Sequence, residues 1–138
     1  MKVVVFDTNV LLDLFVFNDF RALHLKQALL EGKIDALATP NTLEEFTEVI
    51  ARPLFALNGA QQDKIRLQWQ SLARMLDDIN LVKAPWVCQD PDDQVFLDLA
   101  YTAKPCHLVS KDNAVLRFAN QAAKEQVLIT ADYNLVAL

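Results

Sequence analysis

The chain opens on an unbroken apolar run, Val3-Val4-Val5-Phe6, and then meets Asp7. A β-branched and aromatic run without polar interruption predicts a strand buried on both faces, Lys2 to Phe6. From Thr8 the spacing changes. Val10, Leu11, Leu14, Leu23, Ala28, Leu29 and Leu30 fit a helical period up to a stop at Glu31-Gly32, with Asn18-Asp19 dividing the stretch into two helices. A short apolar stretch, Ile34 to Thr39, predicts a second strand, and Thr39-Pro40 supplies a cap for a helix from Asn41 to Ala51 that Arg52-Pro53 ends. After the Asn58-Gly59 turn an amphipathic segment follows from Ala60 to Leu76, its apolar content being Ile65, Leu67, Trp69, Leu72 and Met75. Asp77 to Val82 reads as a loop running into a third strand, and Lys83 to Gln89 as irregular chain.

The second half continues the alternation. Asp90-Pro91-Asp92-Asp93 has the form of a capped helix start leading into Val95 to Lys104. His107 to Val109 is a fourth strand, Asp112 to Gln126 contains an Ala-rich helix and Val127 to Ile129 is a fifth strand, while the tail from Asp132 follows no pattern. Strands alternating with helices at this spacing predict one α/β domain, residues 1–138, with a parallel sheet covered by helices on both faces.

Composition narrows the class. Of the 138 residues, 53% are hydrophobic and 22% charged, which suits a folded core and excludes disorder. No apolar run approaches the ~20 residues of a membrane span, and the N-terminal segment lacks the form of a secretory signal, so a cytoplasmic, non-membrane protein is expected. Cys88 and Cys106 stand in no metal-binding spacing and read as free thiols. The net charge of -5 disfavours binding nucleic acid by bulk electrostatics. An acidic protein can still act on phosphodiesters if its carboxylates hold divalent cations that present positive charge to the substrate.

The position of the acids therefore matters. Ligands of open parallel sheets bind beyond the carboxyl ends of the strands. Asp7 follows the first strand directly, and Ser110 and Asp112 follow the fourth. The helices after the second strand and after Asp90 begin at the same edge. In the former, Glu44 and Glu48 form a like-charge i, i+4 pair suited to solvent, leaving Glu45 as the acid drawn inward. In the latter, Asp93 shares its face with Phe96, Leu97 and Ala100, so it belongs at the buried margin. Asp7, Glu45, Asp93 and Asp112 thus converge from four segments. Carboxylates without a basic partner call for cations, and hard oxygen ligands suit one or two Mg²⁺ or Mn²⁺ ions.

These residues resemble the PIN domains, a family of metal-dependent nucleases. VVVFDTNVLL, EEFTEVIARPLF, DPDDQVFLDLA and HLVSKDNAVL look like that family's four motifs in order and spacing, most like its VapC-like ribonuclease toxins of type II toxin-antitoxin systems. The resemblance implies a three-layer α/β/α sandwich with a central parallel sheet of about five strands in the order 3-2-1-4-5. It implies endonucleolytic cleavage of single-stranded RNA by Asp7, Glu45, Asp93 and Asp112 as metal ligands, with Asp92 and Asp90 as alternatives to Asp93. Asn9 and Ser110 match their polar companions. It further implies a homodimer and a cognate antitoxin protein, with the Ala60 to Leu76 segment and the acidic rim as surfaces. One departure stands out: the second acid frequent after the fourth strand is here Ala114.

Plainer roles compete for each residue. Asp90 and Asp112 suit N-caps, Asp93 the helix dipole, Thr8 and Asn9 a turn, and Glu45 a solvated helix face. His24 and His107 lie at no catalytic spacing, Trp69 and Trp86 suit the core or an interface, and Lys111 and Arg52 are weaker candidates for contacting phosphate. A phosphatase of the haloacid dehalogenase type needs Asp-x-Asp where this chain has Asn9. A catalytically inert PIN-like scaffold that binds RNA or protein is the remaining alternative, and Ala114 is its main support.

Overall fold

A computed structural model describes all residues, 1–138. Five strands, β1 (Lys2–Phe6), β2 (Ile34–Ala38), β3 (Arg74–Met75), β4 (Cys106–Val109) and β5 (Val127–Thr130), form one sheet in the order β3-β2-β1-β4-β5. All four pairings are parallel, with Val4 opposite Ala36 on one side and Val5 opposite Leu108 on the other. The expected topology is the observed one.

Helices cover both faces. On one lie α1 (Thr8–Phe15), α2 (Leu23–Leu30), α3 (Pro40–Ile50), α4 (Gly59–Leu72) and α8 (Tyr133–Ala137), and on the other α5 (Gln94–Ala103), α6 (Asn113–Leu116) and α7 (Ala119–Ala123). The pleat divides the core: Val4 and Phe6 enter the first layer while Val5 enters the second. Trp69 and Trp86 are both buried, Trp69 edge-on to Phe6 and Trp86 edge-on to Tyr101. No helix is long and apolar enough to cross a membrane.

The local signals held where they were strongest. Asn18 adopts a positive φ of 47° between α1 and α2, and Gly32 turns the chain after α2 with φ 73°. Thr39 and Thr42 close a reciprocal capping box at α3.

Four expectations need correction. The third strand is Arg74–Met75, not a segment leading out of residues 77–82, because α4 ends at Leu72 and Ala73 is already extended. Both β3 residues are exposed, so burial leaves no pattern there; the Arg74 guanidinium, paired with Asp35 of β2 at 2.9 Å, marks the strand instead. Leu67 and Met75, expected as apolar content of the amphipathic segment, are exposed. The Ala-rich stretch is two short helices, since the chain tightens at Phe118, whose N–H donates to Val115 O. The tail is ordered as α8, burying Tyr133 and Val136.

Candidate metal centre

The site is built by the ends of the two central strands. The Asp7 N–H extends the β1–β4 ladder by donating to Val109 O at 2.9 Å, and the Ser110 N–H extends the β4–β5 ladder by donating to Thr130 O at 3.1 Å. Asp7 and Ser110 are thereby fixed side by side at the carboxyl edge. The Ser110 hydroxyl donates to Asp7 Oδ2 at 2.6 Å and accepts from the Asp112 N–H at 3.0 Å. One buried serine ties the turn after β1 to the turn after β4.

Asp93 arrives from the opposite layer. A 3-10 turn at Pro91–Asp93 precedes α5, and the Asp90 side chain caps it by accepting from the Asp92 N–H. Capping falls to Asp90, so the Asp93 carboxylate has no helix amide to serve. It is buried, whereas Asp90 and Asp92 are exposed. Asp112 does cap its helix, Oδ1 accepting from the Ala114 N–H at 2.9 Å.

Asp7, Asp93 and Asp112 each offer a carboxylate oxygen within 4.8 Å of the others. None of them, nor Glu45, is in an ion pair. The consequence is visible in their acidities. Burial raises the Asp93 pKa to about 8, reinforced by the hydrogen bond its protonated form makes to Asp112 and by the charges of Asp7, Asp112 and Asp90. Burial also raises Asp7, against the opposing hydrogen bond from Ser110 and with the Asp112 charge adding to it.

Glu45 stands at the margin. It lies outside the group of three, half-buried on α3, and accepts from the Thr8 hydroxyl at 2.8 Å. Burial raises its pKa, Thr8 opposes, and Asp7, Asp92 and Asp90 add repulsion, so it shares the same electrostatic field. Glu44 and Glu48 are exposed, as their spacing predicts. Asn9 is half-buried and its Oδ1 is buried without a hydrogen-bond partner. Orphaned buried acceptors are uncommon and mark a place where a partner belongs.

The donor set fits a hard divalent cation. It consists of oxygens alone, carries surplus negative charge and sits at the edge where such sheets bind ligands. The match to known families agrees: the PIN domain family matches over residues 3–114. The chain belongs to the PIN domain family. PIN domains are generally metal-dependent nucleases and typically use divalent metal ions. No curated protein matches the chain. In this PIN domain the match ends at Ala114, so α7, β5 and α8 are outside it.

Three residues escaped the sequence reading. Thr8, expected as a turn or capping residue, holds Glu45 through its hydroxyl. Asp13, on α1, is 3% exposed, and its Oδ2 accepts from Lys111 Nζ at 2.7 Å and from the Tyr133 hydroxyl at 2.6 Å. An acid among Leu11, Leu12, Leu14 and Phe15 was the available signal for Asp13; nothing in the tail signalled Tyr133. Burial raises the Tyr133 pKa, and Asp13 adds to the effect. Lys111 is thereby engaged with Asp13, while Arg52 is exposed and lines a groove of about 310 Å³ with Glu45, Glu48 and Asp92.

Proposed function

We propose that this PIN domain is a Mg²⁺- or Mn²⁺-dependent endoribonuclease cutting single-stranded RNA, with Asp7, Glu45, Asp93 and Asp112 as its carboxylates. The observation that carries the reading is the convergence of Asp7, Asp93 and Asp112 within 4.8 Å with no basic partner. One ion or two would activate water and offset charge developing on the scissile phosphate. The chain's own residues do the positioning. Ser110 holds Asp7 and the Asp112 backbone, Thr8 holds Glu45, and the unpaired Asn9 Oδ1 is available to orient a ligand or water. Arg52, in the groove beside Glu45, can meet a backbone phosphate. No side-chain nucleophile is needed.

The test is incubation of the purified protein with labelled mixed-sequence single-stranded RNA in Mg²⁺, Mn²⁺ or EDTA, beside Asp7→Asn and Asp93→Asn. Metal-dependent fragments that vanish in both variants are expected; unchanged cleavage by either variant would sink the assignment. A second reading, an inert scaffold that binds RNA or a protein, draws on Ala114, which leaves the turn after β4 one acid short. RNA binding without products in either metal would favour it.

The resemblance to toxins extends the proposal to a cytoplasmic toxin of a toxin-antitoxin pair, working as a homodimer and neutralised by an antitoxin. The partner surface is the Ala60 to Leu76 segment, where Leu67 on α4 is exposed, together with the acidic rim. Growth arrest on induction of the chain alone is expected, and normal growth on strong induction would count against the toxin role.

A further inference from the structure

The metal-binding reading leaves one side chain in an awkward place. Lys111 sits between Ser110 and Asp112, so its ammonium is tethered beside three carboxylates that lack a basic partner. A lysine carries a compact charge on a flexible stem and pairs readily with such a cluster. It does not do so here.

Two features send it elsewhere. Ser110 Oγ binds both the Asp7 carboxylate and the Asp112 N–H, which closes the turn on the cluster side, and the Lys111 side chain leaves the cluster toward α1. There it meets Asp13, a buried carboxylate that desolvation makes a strong partner for a cation. Tyr133, from α8, donates to the same Asp13 oxygen and fixes its orientation. Arg21 does not compete for Asp13, because its guanidinium is already held by Asp19 through Nε and Nη2. Yet the Lys111 side chain remains 39% exposed, and Asp13 is its one ion-pair and hydrogen-bond partner.

We propose that Asp13, supported by Tyr133, is a positioning residue that holds Lys111 out of the Asp7–Asp93–Asp112 cluster and so keeps the cluster open to a divalent cation. This inference rests on the cluster being a cation site. It assigns a purpose to an acid on the apolar α1 and to the helix that follows the family match.

The experiment is a Mn²⁺ titration followed by the electron paramagnetic resonance signal of free Mn²⁺, on the full chain and on Asp13→Asn, Lys111→Met and the double variant, each checked for folding by circular dichroism. Asp13→Asn should weaken Mn²⁺ binding about tenfold, as a released ammonium enters the cluster. The double variant should recover to within about twofold of the parent, and Lys111→Met alone should bind at least as tightly. Equal affinity in Asp13→Asn would overturn the inference, as would equal weakening in Asp13→Asn and the double variant, which would make Asp13 a buttress of the fold. If Asp13→Asn does not fold, Lys111→Met still decides, since weakened binding there contradicts the role assigned to Lys111. Failure of the parent chain to bind Mn²⁺ would remove the cation site and this inference with it; binding by the parent with any of the contrary patterns removes only the inference.

Discussion

Two buried acidic centres touch the same helix and are built on opposite principles. At the N-terminal end of α1, Asp7 stands with Asp93 and Asp112 and no base. Within α1, Asp13 meets a lysine ammonium and a tyrosine hydroxyl. Asp13 is compensated and the Asp7 cluster is not. A buried charge costs less when the chain supplies its counter-charge, and the cluster has none, so under the proposed function a divalent cation would offset that cost. The turn after β4 serves both centres: Ser110 and Asp112 face one, Lys111 the other.

The largest effects should fall on activity and only at the uncompensated centre. Asp7→Asn and Asp93→Asn should each lower metal-dependent RNA cleavage by about a thousandfold or more, measured as initial rates on labelled RNA. In the metal-free protein near pH 7, Asp93→Asn should at the same time raise stability by about 1 kcal/mol, because it removes a carboxyl that must take up a proton as the chain folds. A drop in stability instead would mean that the cluster is internally compensated and would break the contrast.

The compensated centre should respond in stability. Lys111→Met leaves the buried Asp13 charge with only Tyr133 and should cost about 3 kcal/mol in urea unfolding. Asp13→Asn leaves a lysine that can turn to the Asp7–Asp93–Asp112 carboxylates and should cost less, about 2 kcal/mol. The reverse order would show that the desolvated partner is not Asp13.

Much of this was legible in the sequence, and the exceptions share a cause. The alternation of strands and helices, the stop at Gly32, the caps at Thr39 and Asp90 and the inward place of Asp93 rest on local chemistry that neighbouring residues enforce, whereas the order of the strands came from the family resemblance. Asp7 and Asp112 could be brought together from the ends of their strands, and Asp93 from the buried face of the helix that it opens. What escaped depended on long-range partners. β3 is two exposed residues held by an Arg74–Asp35 pair across 39 positions of sequence, and Tyr133 finds Asp13 across 120. Such pairings leave no periodicity behind. Glu45 fell in between, its inward direction following from α3 but its hold on Thr8 from the fold.

Because Asp93 titrates near 8 in the folded protein and near 3.8 when unexposed to these neighbours, the native state retains a proton that the unfolded chain has released. The stability this supplies is full below about pH 4 and is lost as pH rises toward 8. Thermal melts of the metal-free protein should therefore show the cluster's contribution falling across that window, Asp93→Asn should flatten the fall, and saturating Mn²⁺ should reverse it. A profile identical in the parent and in Asp93→Asn would contradict the uncompensated cluster. The smallest effect belongs to the link between the two strand ends. Ser110→Ala removes the hydroxyl that joins Asp7 to Asp112 and should cost about 1 kcal/mol, with activity reduced rather than lost.

The most direct measurement is a crystal soaked in Mn²⁺, with anomalous data collected at the manganese edge. A peak bounded by the carboxylates of Asp7, Asp93 and Asp112, absent when Asp7→Asn crystals are soaked in the same way, is the predicted result. A fully occupied soak that places Mn²⁺ elsewhere and leaves those three carboxylates without a peak would contradict the account.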